Sequence, residues 1–466
     1  LNKLIKTISL SITIILLSGC TFWQRSHNPQ IEPPPDHFSQ STEAGGFNTD
    51  PWWLAFNDSS LNQLMDEVFS SNLTLEAAVA RLDQYRALNA SARSSWFPSI
   101  SAQGAYQKNG DVGDNPPPSS ATTPDEIYNV KLTAAWELDL FGKLAANRAA
   151  SYNDFLAGQA DLQAIILSIS SQAVRTYYQI IELKMQTELL NDMVLSFQDY
   201  LELVEKRYQR GVVSSLDVYQ AQISLSGAKS RLAQLETALV SAENALSVLI
   251  GNYPGEGLSI ERDELPSEMS SLSPGIPSEL LKRRPDVIAA YYRMQAADKR
   301  WAEAVASRLP SFGLTGTVGG SSQELKDALD PESMIWNAIG SLTVPLFAGG
   351  RLKANADRTE AAFRESAARY KETVLNGFRE VENALSKSQQ QKVVVDELTI
   401  QTEAAANSMK IATDRYLRGV SNYLVVTNAQ TAYLNAHSSL ITARRELIDT
   451  HINLVTALGG DWTVGY

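Results

Sequence analysis

The stretch Arg207–Gln222 reads RYQRGVVSSLDVYQAQ, and 208 positions later Arg415–Gln430 reads RYLRGVSNYLVVTNAQ. Aligned without a gap, Arg, Tyr, Arg, Gly, Val, Leu, Val, Ala and Gln recur. In each copy a glycine closes an apolar-periodic run, and a capping residue follows shortly after. Glycine tolerates the left-handed conformation that ends a helix. Ser214 or Ser215, and Asn422, supply side-chain oxygens to start the next one. Both stretches therefore predict the tips of helical hairpins, with Gly211 and Gly419 at the turns.

Working outward, prolines bound the hairpins. None occurs between Pro124 and Pro254, and none after Pro345. Proline is excluded from helix interiors, so these regions permit very long helices. Leu162, Ile165, Ile166, Ile169, Ala173, Tyr177 and Ile180 recur at three- and four-residue steps, as do Met193, Phe197, Tyr200, Leu201, Val204 and Tyr208. A helix from Lys143 to Gln209 would be about 100 Å long at 1.5 Å per residue. It needs neighbours along its whole length, as in a coiled coil.

Ahead of the hairpins the period changes to two. Ile100, Ala102, Gly104 and Tyr106 alternate with mostly polar residues, and so do Tyr128, Val130, Leu132, Ala134, Trp136, Leu138 and Leu140. Phe312–Val318 and Trp336–Val344 alternate less purely. Such strands suit either a half-buried soluble sheet or a transmembrane barrel that is apolar toward lipid and polar toward a lumen. Tyr106, Tyr128, Trp136 and Trp336 are candidates for interfacial girdles. Glu137 and Asp139 fall on the polar, lumen-facing set.

The N-terminal sequence favours the barrel. Lys3 and Lys6 precede the apolar run Ile8–Leu17, which is shorter than the roughly 20 residues a membrane helix needs. Leu17-Ser-Gly-Cys20 then looks like a lipobox, making Cys20 an acylation site. It is the only cysteine, so no intrachain disulfide forms. A net charge of −12 argues against nucleic acid as a partner, and 44 % hydrophobic residues argue against a disordered chain.

Further pairs mark a tandem duplication. Pro98-Ser-Ile matches Pro310-Ser-Phe, and Leu140-Phe-Gly-Lys-Leu144 matches Leu346-Phe-Ala-Gly-Gly-Arg-Leu352. The expected organisation is a signal peptide over 1–19, a tether over 20–60, one repeat over 61–258 and a second over 259–466. The first repeat holds strands near 99–107 and 127–140 and a hairpin over 143–250. The second holds strands near 311–319 and 335–346 and a hairpin over 351–458. The fold class is mainly α with a small β part. Four strands cannot close a water-filled barrel, since the smallest use about 8. Three chains would supply twelve.

No catalytic constellation is present. His27, His37, His437 and His451 lack metal-ligand spacing, and neither a metal nor another cofactor is expected. A lipid-anchored coiled-coil adaptor would share the hairpins but would lack the four strands and the duplication.

In order along the chain stand the lipobox at Cys20, Pro51-Trp-Trp-Leu-Ala-Phe-Asn-Asp58, Trp96-Phe-Pro-Ser99, Trp136-Glu-Leu-Asp-Leu-Phe-Gly142, Arg284-Pro-Asp286, Leu346-Phe-Ala-Gly-Gly-Arg351, both tips, and Ala457-Leu-Gly-Gly-Asp-Trp462. With these motifs the chain resembles the outer-membrane factors, the TolC-like export ducts, in their NodT/OprM-type lipoprotein branch. The resemblance implies a homotrimer in the outer membrane, with a twelve-strand barrel, a periplasmic α-helical barrel and a mixed belt around it. It implies docking to a periplasmic adaptor and an inner-membrane pump, of the RND class, for passive efflux of drugs or other small toxic solutes. Type I protein secretion is the alternative. The tips would dock the adaptor through Arg207, Tyr208, Arg210, Gly211, Arg415, Tyr416, Arg418 and Gly419. The entrance gate would draw on Asp217, Tyr416, Arg418 and Asn428, with Asp217 pairing to an Arg or Tyr of the neighbouring hairpin. Related ducts often carry acidic residues where this chain has Val425 and Asn428.

Overall fold

The computed structural model describes Phe38 and residues 51–110, 126–255, 260, 262–266 and 277–460. Cys20, the signal segment and most of the tether lie outside them. The chain divides into two compact units, and each draws on both sequence repeats: one takes in 81–159 and 289–371, the other 32–80, 160–288 and 372–466. The helices are α1 (Ser59–Ser71), α2 (Leu73–Ser94), α3 (Lys143–Gln209), α4 (Ser215–Leu249), α5 (Pro277–Arg283), α6 (Pro285–Ala306), α7 (Leu325–Ala328), α8 (Arg351–Leu417) and α9 (Tyr423–Leu458). The strands are β1 (Ser99–Lys108), β2 (Glu126–Leu138), β3 (Ser311–Ser322) and β4 (Ile335–Thr343). No described helix is long and apolar enough to cross a membrane.

The first unit carries the sheet. It is antiparallel throughout, in the order β1-β2-β3-β4. Register puts Ile100 opposite Ala134, Ala134 opposite Gly316, and Gly316 opposite Ala338. Because side chains alternate faces, one face collects Ile100, Ala102, Tyr106, Tyr128, Val130, Leu132, Trp136, Leu314, Val318, Trp336 and Leu342. The other collects Ser101, Gln103, Asn129, Lys131, Thr133, Thr315, Thr317, Asn337 and Ser341. Ile335 and Ile339 are apolar residues on this polar face, which explains the weaker alternation of β4. Tyr106 and Tyr128 pair at one end of the apolar face with ring centroids 5.0 Å apart. Trp136 lies at the other end, and its Nε1 donates to the Trp96 carbonyl at 3.0 Å.

β3 runs three residues past the expected 319, to Ser322, and two strands end short of the sequence reading. β2 stops at Leu138, and Asp139 leaves the sheet to accept the Ala145 amide at 2.7 Å at the start of α3. It is therefore a helix-start residue and not a lumen-facing strand position. β4 stops at Thr343, two residues before Pro345, which has no amide to give a ladder.

Helices of this unit interlock through specific contacts. A Cβ at Gly158 of α3 would sit 2.7 Å from the Tyr85 ring of α2, so glycine is retained inside a helix where it costs about 1 kcal/mol. Asn147 donates to Glu303 at 3.1 Å, and Asp154 pairs with Arg300, joining α3 to α6. Trp301 stacks on Phe363 at 6.1 Å, joining α6 to α8.

The second unit is a packed helical body. Trp52, Trp53 and Phe56, expected in the tether, are buried with Leu61, Met65, Tyr177 and Tyr178. The stretch 51–60 thus docks on the core through Trp52, Trp53, Phe56 and Asp58, and Phe38 is buried too, against Leu280, Val381 and Leu454. Asp58 explains the docking. Its carboxylate accepts the Ser60 and Leu61 amides at 3.1 Å, capping α1, and also the Tyr177 hydroxyl at 3.1 Å and Arg262 at 3.0 Å. Burial in this core pushes the Tyr177 and Tyr178 hydroxyls well above the usual range, with the Asp58 charge adding to it. Among the described residues no strand lies outside the four-stranded sheet.

Candidate functional site

The two hairpin tips lie together in the second unit. At the first, Gly211 takes φ +72°; its amide bonds the Tyr208 carbonyl at 2.8 Å, and the Val212 amide bonds the Arg207 carbonyl at 2.9 Å. At the second, Gly419 takes φ +76°, and Val420 bonds the Arg415 carbonyl at 2.9 Å. These paired bonds satisfy carbonyls that a helix end leaves open. Asn422 caps α9 by accepting the Val425 amide at 3.3 Å. Ser214 and Asp217 form a capping box at the start of α4, Asp217 accepting the Ser214 amide at 3.1 Å.

Between the tips sits an apolar cluster of Val204, Ala221, Tyr416, Tyr423 and Val426, with Tyr200, Leu201 and Val218 against it. Tyr416 is 2 % exposed. The Arg207 guanidinium lies over its ring, 4.6 Å from the centroid, and donates to the Tyr416 and Leu417 carbonyls at 3.3 Å each. This combines a cation–π contact with neutralisation of the negative end of α8. Burial raises the Tyr416 hydroxyl pKa; nearby Arg207 opposes the shift and Asp217 adds to it. A second bridge, Tyr200 hydroxyl to Thr413 at 3.0 Å, ties α3 to α8.

The sequence-selected residues therefore separate into groups. Arg207 and Tyr416 are brought together inside the chain, so Tyr416 is a core side chain and not an outward docking residue. Tyr208, Arg210, Gly211, Arg415, Arg418 and Gly419 are exposed, as are Val425 and Asn428. Asp217 is half-buried, and the partner its carboxylate shows is Ser214 of its own hairpin. Tyr200, Thr413 and Tyr423 were missed. Position 215, which matches Tyr423 in the repeat, is a serine, so comparing the copies averaged this aromatic away.

Residues 64–252 and 276–460 match the family model described as outer membrane efflux protein. The chain is 27 % identical to the solvent efflux pump outer membrane protein SrpC of Pseudomonas putida, over 88 % of this chain and 87 % of that protein. It is 28 % identical to the cation efflux system protein CusC of Escherichia coli O6:H1, over 96 % of this chain and 97 % of that protein. Its structure is similar to the open-state outer membrane channel MtrE of Neisseria gonorrhoeae, with TM-score 0.80 and 26 % identity, covering 93 % of this chain and 98 % of that one.

Proposed function

Because this chain belongs to the outer membrane efflux protein family, we propose that three copies build one duct that lets small toxic solutes leave passively across the outer membrane. Solvents and cations, named for the relatives SrpC and CusC, exemplify the solute class. Energy comes from an inner-membrane pump of the RND class, reached through a periplasmic adaptor. The observation that carries the reading is the sheet: one face is apolar along all four strands, the other is polar except chiefly at Ile335 and Ile339 of β4, and β1 and β4 are unpaired edges. In lipid such edges must be satisfied by more strands. Cys20 carries the lipid anchor.

The exposed turn residues Arg210, Gly211, Arg418 and Gly419, with exposed Val212 and Val420 beside them, form the adaptor-docking surface. Asp217, Tyr416, Arg418 and Asn428 remain the gate set. Single-channel conductance of the Asp217→Ala/Arg418→Ala pair is expected to exceed that of the unmodified duct; unchanged conductance removes both from the gate. The test of function is a crosslinked pull-down from native envelopes with mass spectrometry of the partners. An RND pump and its adaptor are the expected recovery. An ABC exporter instead would replace efflux by protein secretion, and recovery of neither would overturn tip docking.

A further inference from the structure

The polar face of the sheet carries one charge that nothing balances. Four strand residues are charged: Lys108, Glu126, Lys131 and Glu137. Lys108 and Glu126 face each other where β1 finishes and β2 begins, and they pair at 3.1 Å. Glu137 pairs with Lys143 at 2.9 Å at the other end of β2. There Glu137, Asp139, Lys143 and Arg351 line one cavity of about 220 Å³, two acids with two bases. Lys131 lies between these ends. It is exposed, and among the described residues it makes no hydrogen bond or ion pair.

Its neighbours leave it uncovered. Register puts Gln103 on one side and Gly319 on the other. Gly319 has no side chain to screen the ammonium, and none would fit: a Cβ there would sit 2.7 and 2.8 Å from the Lys131 Cα and Cβ atoms. The nearby residues of the same face, Asn129, Thr133, Thr317 and Ile335, are uncharged.

The repeat sets the spacing. Leu140-Phe141 matches Leu346-Phe347, and nine residues before each leucine stand Lys131 and Asn337. Both lie on the polar face. The two halves of a chain therefore place an ammonium and an amide at matching heights, and three copies related by rotation alternate three of each. Twelve strands about 4.8 Å apart, at the usual tilt, enclose a lumen of about 12 Å backbone radius. A lysine side chain reaches about 6 Å inward. Each ammonium then lies about 6 Å from the axis, inside the ~8 Å Debye length of physiological salt. A solute on the axis feels all three. A passage lined by one sign of charge concentrates ions of the other.

We propose that Lys131 forms a ring of three ammonium groups that passes anionic solutes through the barrel in preference to cationic ones. This rests on the three-copy duct above and names a preference within its solute class. The ring locally reverses the sign of a chain whose net charge is −12.

The preference is read with two small reagents of opposite charge. Asn337→Cys puts a thiol two strands from Lys131, about 12 Å away and out of its contact. Detergent-purified protein is treated with a sulfonate-bearing or a trimethylammonium-bearing methanethiosulfonate at 0.01 M and at 1 M salt. Cys20 stays in place, and the protein without the new thiol gives its background. A change in thiolate fraction acts on both reagents alike and cancels in the ratio of their rates. At 0.01 M salt the anion-to-cation ratio is expected to fall at least threefold when Lys131→Gln is added, and to stay within twofold when Lys131→Arg is added instead. At 1 M salt, where the Debye length is ~3 Å, the difference should close. A ratio unmoved by Lys131→Gln overturns the ring, and a difference that survives 1 M salt overturns its electrostatic origin. A thiol that reacts with neither reagent until the protein is denatured overturns the water-facing wall, and with it the three-copy duct beneath.

Discussion

Each repeat must fasten the break between two short helices to the end of a long returning one, and the two repeats do it with different chemistry. In the first, Asn72 stands between α1 and α2. Its Oδ1 accepts the Thr74 and Leu75 amides at 3.0 Å, and its Nδ2 donates to the Leu249 carbonyl at 2.8 Å. In the second, the matching residue is Arg284, between α5 and α6. It donates to the Ala457 carbonyl at 3.0 Å, while Asp286 accepts the Val287 amide at 2.9 Å and holds the guanidinium at 2.7 and 3.0 Å. Glu380 pairs with the same guanidinium at 2.7 Å. One residue does two jobs in the first closure, and two residues divide them in the second. The backbone agrees where the side chains do not: Gly251 and Gly459 both take positive φ and both press on the helix break, at Ser71 and at Arg283. Duplication preserved a path for the chain and the carbonyl to be satisfied, not the group that satisfies it.

That division sets the largest expected effect. Asn72→Ala removes a cap and strands a buried carbonyl together, a loss of about 2–4 kcal/mol. Asp286→Ala removes the second closure's helix-start acceptor, about 1 kcal/mol, because Glu380 still pairs with the buried Arg284 guanidinium at 2.7 Å. Hydrogen exchange of the peptides ending α4 and α9 reads both; equal loosening would mean the jobs are not divided as the geometry has them.

A second contrast is His451 on α9, where the first repeat has Glu243. His451 is buried against Phe56, with ring centroids 5.4 Å apart. Burial, helped by the Lys392 charge, lowers its pKa from 6.5 to about 4. An unfolded chain therefore binds the proton first as pH falls. The neutral imidazole's contribution is complete above pH 6.5 and is lost between 6.5 and about 4, by up to about 3 kcal/mol. Denaturant melts of His451→Phe should be flatter than wild type across that window; parallel curves would show the imidazole is not the acid-sensitive group.

A third contrast tests the shared backbone. Gly251→Ala and Gly459→Ala each force an L side chain into a left-handed conformation, about 1–2 kcal/mol. Gly251→Ala should be the worse, since its Cβ would lie 2.5 Å from the Ser71 carbonyl oxygen against 3.0 Å from that of Arg283 at Gly459. Thermal unfolding in detergent ranks them, and the reverse order would mean the second closure is the tighter.

Much of the fold was legible because its signals are local. Gly211 and Gly419 announce the tips because few other residues accept their φ. Ile100–Tyr106 announces a strand because alternation follows from the pleat. Legibility failed where a contact, not a local preference, decides. Trp52, Trp53 and Phe56 follow a Pro-rich stretch without periodicity and read as tether, yet Asp58 and the cores of α3 and α9 hold them. Asp139 read as an alternating strand residue, yet the amide of Ala145 takes it out of the sheet.

The sequence by itself determined the long helices, the glycine turns, the two-faced strands and the duplication, since each depends on dihedral preference or on side-chain period within a few residues. Only the tertiary structure decided which copy of a repeated residue is covered. Tyr416 is buried beneath Arg207, while its twin Tyr208 is 49 % exposed. Identical local sequence cannot separate the two. The surroundings of Tyr416 come from the other hairpin, some two hundred residues away, whereas Tyr208 points away from that contact.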